Sequence, residues 1–139
     1  MITSEIQVRV RYSETDQMAY VYYGNYAAYF EVARVECFRQ MGFSYKRLED
    51  LGVMMPVLEY KTKYLKPALY DDLLRIVTNV KEKPGVRIKF DYEVFNEQGQ
   101  LLTIAETTLV FISKETGRPC LPPEEFRTLL EAGFTEDKA

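Results

Sequence analysis

The sequence contains no histidine at all. This one absence removes Ser-His-Asp and Cys-His nucleophile pairs, imidazole general bases and the commonest zinc sites. No metal site is expected, and acid–base chemistry must fall to Asp, Glu, Lys, Tyr or Cys. Tryptophan is missing too, and there are only two cysteines, Cys37 and Cys120. They lie far apart without a C-x-x-C spacing, so two reduced thiols are expected rather than a disulfide. No stretch is long and apolar enough to span a bilayer, and residues 1–10 lack a signal-peptide pattern, so a cytoplasmic protein without membrane insertion is expected. Neither G-x-G-x-x-G nor a Walker A sequence occurs, so no nucleotide phosphate cradle is signalled. The net charge of −3 gives no footprint for a nucleic-acid partner.

What is present suits one folded domain over residues 1–139. The chain is 47% hydrophobic, and its aromatic content comes from 11 Tyr and 8 Phe. Tyrosines bury a ring while keeping the hydroxyl on something polar, which fits a ligand cleft, a subunit interface or a half-buried sheet. Residues 5–12 alternate, with Ile6, Val8, Val10 and Tyr12 on one side, and read as a strand. Residues 13–22 read as a loop leading into a helix over 23–41. There Tyr26, Phe30, Ala33, Cys37 and Met41 form one stripe, while Tyr29, Val32 and Glu36 lie on other faces. A helix apolar over so much of its circumference should be largely enclosed. Ser44 can cap a short helix to Leu51 that Gly52 closes.

From Met54 the period changes to two. Strand-like runs cover about 55–64, 72–82, 86–96 and 101–113. Turn signals at Leu65-Lys66-Pro67 with Asp71-Asp72, at Lys83-Pro84-Gly85 and at Asn96-Glu97-Gln98-Gly99 suggest three hairpins and hence an antiparallel meander. A terminal helix is expected over 123–132, stopping at Gly133, with a frayed tail over 134–139. The expected class is α+β, a five-stranded antiparallel sheet curled around one long helix. Its exposed edge invites pairing with a second copy.

Residues 9–34 resemble the signature of the hotdog-fold thioesterases, most closely the 4-hydroxybenzoyl-CoA thioesterase family and its bacterial short-chain acyl-CoA thioesterase relatives. The residues that carry the resemblance are Thr15-Asp16, Ala19, Val21-Tyr22, Asn25-Tyr26 and Phe30-Glu31-Val32-Ala33-Arg34. A second segment, from Tyr64-Leu65-Lys66-Pro67-Ala68 to Asp71-Asp72, resembles the family's Tyr-x-x-Pro-Ala turn. The likeness spans roughly residues 5–115. Three positions depart from the pattern: Ala19 and Asp71 stand where the family carries glycine, and Tyr23 where it often carries histidine.

The resemblance implies an acyl-CoA thioesterase that releases a free acid and CoA. It implies Asp16 as the catalytic carboxylate and the Tyr23 backbone N–H as oxyanion donor, a role indifferent to the missing imidazole. Thioester hydrolysis needs both parts, a nucleophile or base and a donor for the oxyanion. The unpaired N–H groups near Tyr22, Tyr23 and Gly24 would carry the positive end of the helix dipole. Asp16 on spacing alone also reads as a cap or turn former. Asn25 is either the cap or a substrate contact. Glu31 is either a second functional carboxylate or the partner of Arg34 at i+3. Tyr12, Tyr22 and Tyr26 are candidates for an acyl pocket or for core packing, and Tyr64 and Lys66 for substrate contacts. Lys61, Lys63, Arg87 and Lys89 are candidate partners for the CoA phosphates, or simply a solvated strand face. CoA would be part of the substrate, with no separate cofactor. The family implies at least a dimer, with tetramers common. A dehydratase would need a histidine paired to an acid; a non-catalytic acyl- or CoA-binding protein is the other alternative.

Overall fold

Alternation of apolar and polar residues in the strands puts one face of each against the long helix. The computed structural model describes residues 1–135. The elements are β1 (Ile2–Arg9), α1 (Tyr26–Gln40), α2 (Tyr45–Asp50), β2 (Val53–Met54), β3 (Val57–Tyr64), β4 (Leu73–Val80), β5 (Arg87–Phe95), β6 (Leu101–Val110), β7 (Ile112–Ser113) and α3 (Glu124–Thr135). Five strands form one antiparallel sheet in the order β1-β4-β5-β6-β3, and β2 pairs with β7 in a small second sheet. This is the hotdog arrangement that the sequence pattern and the resemblance led us to expect.

Only two of the three expected hairpins form. β4-β5 and β5-β6 are neighbours, but β3 pairs with β6, so the 65–72 segment is a crossover and not a turn between paired strands. Its Pro67 and acidic pair are turn-like locally, and local chemistry does not encode which strand lies beside which. A register shift beside Val94 and Phe95 makes Leu102 the extra residue of β6. Leu102 and Thr103 are therefore both buried, and the strand changes phase. The expected 101–113 strand breaks at Phe111, which is fully buried.

The inward face of α1 carries Tyr26, Phe30, Ala33 and Cys37 of the predicted stripe, but also Tyr29, expected on another face, and Phe38, while Met41 is only half-buried. Phe30 stacks on Tyr92 at 4.5 Å and Phe38 lies 5.6 Å from Phe90. The helix is not enclosed, however. Ala27, Ala28, Glu31 and Val32 face outward, with Val32 49% exposed. Arg34 is buried instead, and its Nη1 donates to the Tyr92 hydroxyl at 3.3 Å. Ser44 caps α2 by accepting the Arg47 N–H at 3.0 Å. Helix α3 seals one end of the core through Phe126, which stacks on Phe43 at 4.4 Å.

Gly133 does not stop α3. The helix continues to Thr135, because this glycine lets it sit on β1: a Cβ there would lie 2.6 Å from Ile2 Cγ1. The frayed tail thus gives way to helix at 134–135, and 136–139 lie outside the described residues. The strand expected over 5–12 starts earlier and ends at Arg9, so Tyr12 falls in a short turn and is 78% exposed. It packs edge-on against Tyr70 and lines no pocket with Asp16.

Candidate active site

The chain leaves β1 at Arg9 and must travel to the start of α1, and the loop between them carries Asp16. A turn over Tyr12–Glu14 starts it, and Thr15 bridges Val21 so that the two limbs run antiparallel. Asp16 ties the tip. Its Oδ1 accepts the N–H of Met18 at 2.8 Å and of Tyr20 at 3.3 Å, while its own N–H donates to the Tyr20 carbonyl at 2.8 Å. Ala19 completes the tip with φ 63°, the left-handed region that glycine tolerates best. Asp71 in the crossover has φ 67°. Both residues stand where the family pattern carries glycine, and the backbone explains why it does.

The return limb is pinned to the crossover. Tyr20 bridges Leu69, and the Val21 N–H donates to the Ala68 carbonyl at 2.8 Å. The crossover is held in turn by Leu65 and Lys66, whose N–H groups both reach the Leu102 carbonyl. These contacts enclose a cleft of about 300 Å³ between the loop, the start of α1 and the end of β3. Asp16, Tyr23, Tyr26, Tyr64 and Lys66 all line it. Asp16 is its only carboxylate and Lys66 its only cation. Burial pushes the Tyr26 and Tyr64 hydroxyls above the usual tyrosine value, so both stay neutral donors near neutral pH.

Tyr23 opens a single turn over Tyr23–Asn25 that runs directly into α1. The first N–H groups of such a turn have no partner within it, and they point along the positive end of the helix dipole. The Tyr22 N–H is not among them, since it donates to the Glu14 carbonyl at 2.9 Å. The expected donor set therefore narrows to Tyr23 and Gly24.

Several candidates lie elsewhere. The Tyr22 ring is exposed and tilts against Tyr23 at 4.7 Å, over Gly24 and outside the cleft. Asn25 makes no side-chain cap; its Nδ2 donates to the Glu14 carbonyl at 2.8 Å. Glu31 makes no ion pair with Arg34, whose guanidinium turns inward to Tyr92. Glu31 instead borders a second pocket of about 380 Å³ between α1 and β3, with Tyr60 and Val57. Lys61, Lys63, Arg87 and Lys89 lie on the sheet face away from α1. Lys61 and Lys63 share that face with Asp91, Glu93 and Glu106, and Lys89 pairs with Glu106 at 3.2 Å. Within one chain none of the four reaches the Asp16 cleft.

Val21, Leu65 and Pro67 also line the cleft; they stand in the two family segments but were not singled out as site residues, and Tyr20, beside Val21, was not named at all. Glu14 was missed altogether. Burial works to raise its carboxyl, but hydrogen bonds from the Arg11 backbone and side chain and from Tyr29 outweigh it and hold the value below the ordinary one. Among the described residues, no cluster of three or more Asp, Glu or Cys side chains converges as a metal site would. No helix among them is long and apolar enough to cross a membrane.

Residues 10–130 match the profile of the thioesterase-like superfamily. The chain is 33% identical over 119 residues to YneP of Bacillus subtilis, provisionally named an acyl-CoA thioesterase, covering 86% of each chain. It is 32% identical over 117 residues to the acyl-CoA thioester hydrolase YbgC of Escherichia coli, covering 84% of this chain and 87% of that one. The crystal structure of a DHNA-CoA thioesterase from Staphylococcus aureus superposes with a TM-score of 0.89 at 34% identity, over 99% of this chain and 92% of that one.

Proposed function

The chain belongs to the thioesterase-like superfamily, and on that premise we propose that it hydrolyses acyl-CoA thioesters, with Asp16 as the reacting carboxylate. The observation that carries this reading is the cleft itself. It holds a single carboxylate, it is bordered by Tyr23, the first residue of the turn that leads into α1, and the chain has no imidazole to do the work instead.

In the reaction, a water oxygen ends on the acyl carbon, the C–S bond breaks, and the CoA sulfur leaves as a thiolate that takes up a proton. Asp16 serves as base for that water or attacks the carbonyl first. Its Oδ1 is occupied by the loop amides, and no hydrogen bond among the described residues engages Oδ2. Oδ2 is therefore the reacting oxygen. The Tyr23 N–H, with Gly24 beside it, receives the charge that develops on the carbonyl oxygen. Such a preorganised backbone donor is worth roughly 10²–10³ in rate. Tyr26 and Tyr64 meet edge-on at 5.1 Å and form the floor on which the acyl group rests. Lys66 sits at the rim, where it suits an anionic group of CoA.

The protein works as an oligomer in this reading. Among the described residues β3 pairs on one side only; its exposed Val57 and Tyr60 border the pocket beside the uncovered strip of α1, and its Leu58 is exposed as well. A second copy would cover both the strand and the strip.

Steady-state kinetics of the wild type and Asp16→Asn on a panel of aromatic and aliphatic acyl-CoAs test the assignment. Turnover is expected to fall by roughly 10²–10⁴ in the variant. Wild-type rates in Asp16→Asn would remove Asp16 from the mechanism. A wild-type protein that binds CoA esters and hydrolyses none would leave a binding protein.

A further inference from the structure

Two parts of the proposed site come from different pieces of chain. Asp16 rides on the loop after β1, whereas the Tyr23 and Gly24 amides belong to the turn that starts α1. Their separation decides whether one thioester can meet both, and one residue touches every piece involved. The Glu14 carboxylate accepts the Arg11 N–H at 2.8 Å and the Tyr29 hydroxyl at 3.0 Å through Oε1, and the Arg11 guanidinium at 3.2 Å through Oε2. The Glu14 carbonyl accepts the Tyr22 N–H at 2.9 Å and Asn25 Nδ2 at 2.8 Å. Glu14 thus joins the exit of β1, the outgoing limb two residues before Asp16, the residue before Tyr23, and the first full turn of α1.

We infer that Glu14, working through the Tyr29 hydroxyl, is a positioning residue that sets the distance between the Asp16 carboxylate and the amides at the start of α1. The inference rests on the reading of Asp16 given above. Tyr29 is 4% exposed and its ring already packs edge-on against Tyr26, so phenylalanine would fill the same space. What the hydroxyl adds is a directional tie to a carboxylate whose side chain is only 13% exposed. Hydrogen bonds to an ionised, half-buried acceptor are the strong kind, and they fix angle as well as distance. Neither residue lines the cleft, so neither touches substrate. Losing the tie frees the loop to drift from α1. A displacement of about 1 Å in a reacting group can cost 10²-fold in rate.

Kinetics of Tyr29→Phe, Glu14→Gln and the double variant on one acyl-CoA test this, with urea midpoints measured on the same preparations. We expect kcat to fall about tenfold or more with KM little changed, and the double variant to lose no more than the worse single one. A purely structural role predicts lower midpoints with kcat per folded molecule intact, and that result overturns the inference. So does additive loss in the double variant. If Glu14→Gln does not fold, Tyr29→Phe decides alone. Asp16→Asn run alongside separates the two possible failures. An active Asp16→Asn enzyme removes the reacting carboxylate itself. An inactive one beside fully active Glu14 and Tyr29 variants removes only the tie.

Discussion

Asp16 Oδ1 accepts the Met18 N–H at 2.8 Å, so the proposed reacting group also builds the loop that presents it. The two jobs are separable by substitution. Asparagine keeps an acceptor oxygen and should hold the turn, whereas alanine removes it. We expect Asp16→Asn to unfold close to the wild-type urea midpoint while losing turnover. Asp16→Ala should lose turnover and also about 1 kcal/mol of stability. Equal midpoints for the two variants would show that the loop does not need this oxygen.

Ala19 sits at φ 63°, where a Cβ crowds the following carbonyl at a cost of about 1–2 kcal/mol. Ala19→Gly relieves this but adds freedom to the unfolded chain, which returns part of the gain. The expected net is a stabilisation of about 0.5–1 kcal/mol, read as a higher midpoint with an unchanged denaturant slope. Asp71→Gly, at φ 67°, should behave alike. Midpoints that fall in both variants would mean that side-chain contacts at these positions outweigh the backbone strain.

The Glu14 carboxyl is held below its ordinary value. Burial opposes the shift, and the hydrogen bonds from Arg11 and Tyr29 more than offset it. A group depressed in the folded state binds its proton less readily there than in the unfolded chain. Its stabilisation is therefore complete above the unfolded carboxylate value and is lost as pH falls through the lower folded one. Wild-type stability should drop across that acidic window, and Glu14→Gln should flatten this part of the profile. A variant with an unaltered acid limb would assign the drop to other carboxylates.

Strand β3 offers its free edge with Val57 and Leu58 nearly half exposed. A lysine at an edge opposes strand addition. Sedimentation of Leu58→Lys should show a smaller species than the wild type at equal concentration. An unchanged mass would place the subunit contact elsewhere.

Much of the fold was legible because burial imposes period. The α1 stripe from Tyr26 to Cys37 and the alternation of β4 and β5 follow directly from which side chains face the core. What failed was relational. Pro67 and Asp71-Asp72 look the same in a hairpin and in a crossover, and Gly133 looks like a stop until Ile2 is seen beneath it. At the site, the segment around Asp16 put Asp16, Tyr23 and Tyr26 on the map, the downstream segment added Tyr64 and Lys66, and one cleft brings the five together. That the lysines of β3 lie away from the cleft was not legible, because strand alternation fixes a face without saying which face meets the cleft. Glu14 escaped because its role depends on Tyr29, fifteen residues on, and no local spacing announces that contact.

The edge strand does not end at the sheet. β3 runs through Tyr64 into Leu65, Lys66 and Pro67, which are the wall of the Asp16 cleft. A second copy pairing along that strand would also press on the wall, so assembling copies and shaping the pocket would be a single event. Dilution should then act as an inhibitor: specific activity would decline as subunits part and return with second-order kinetics on reconcentration.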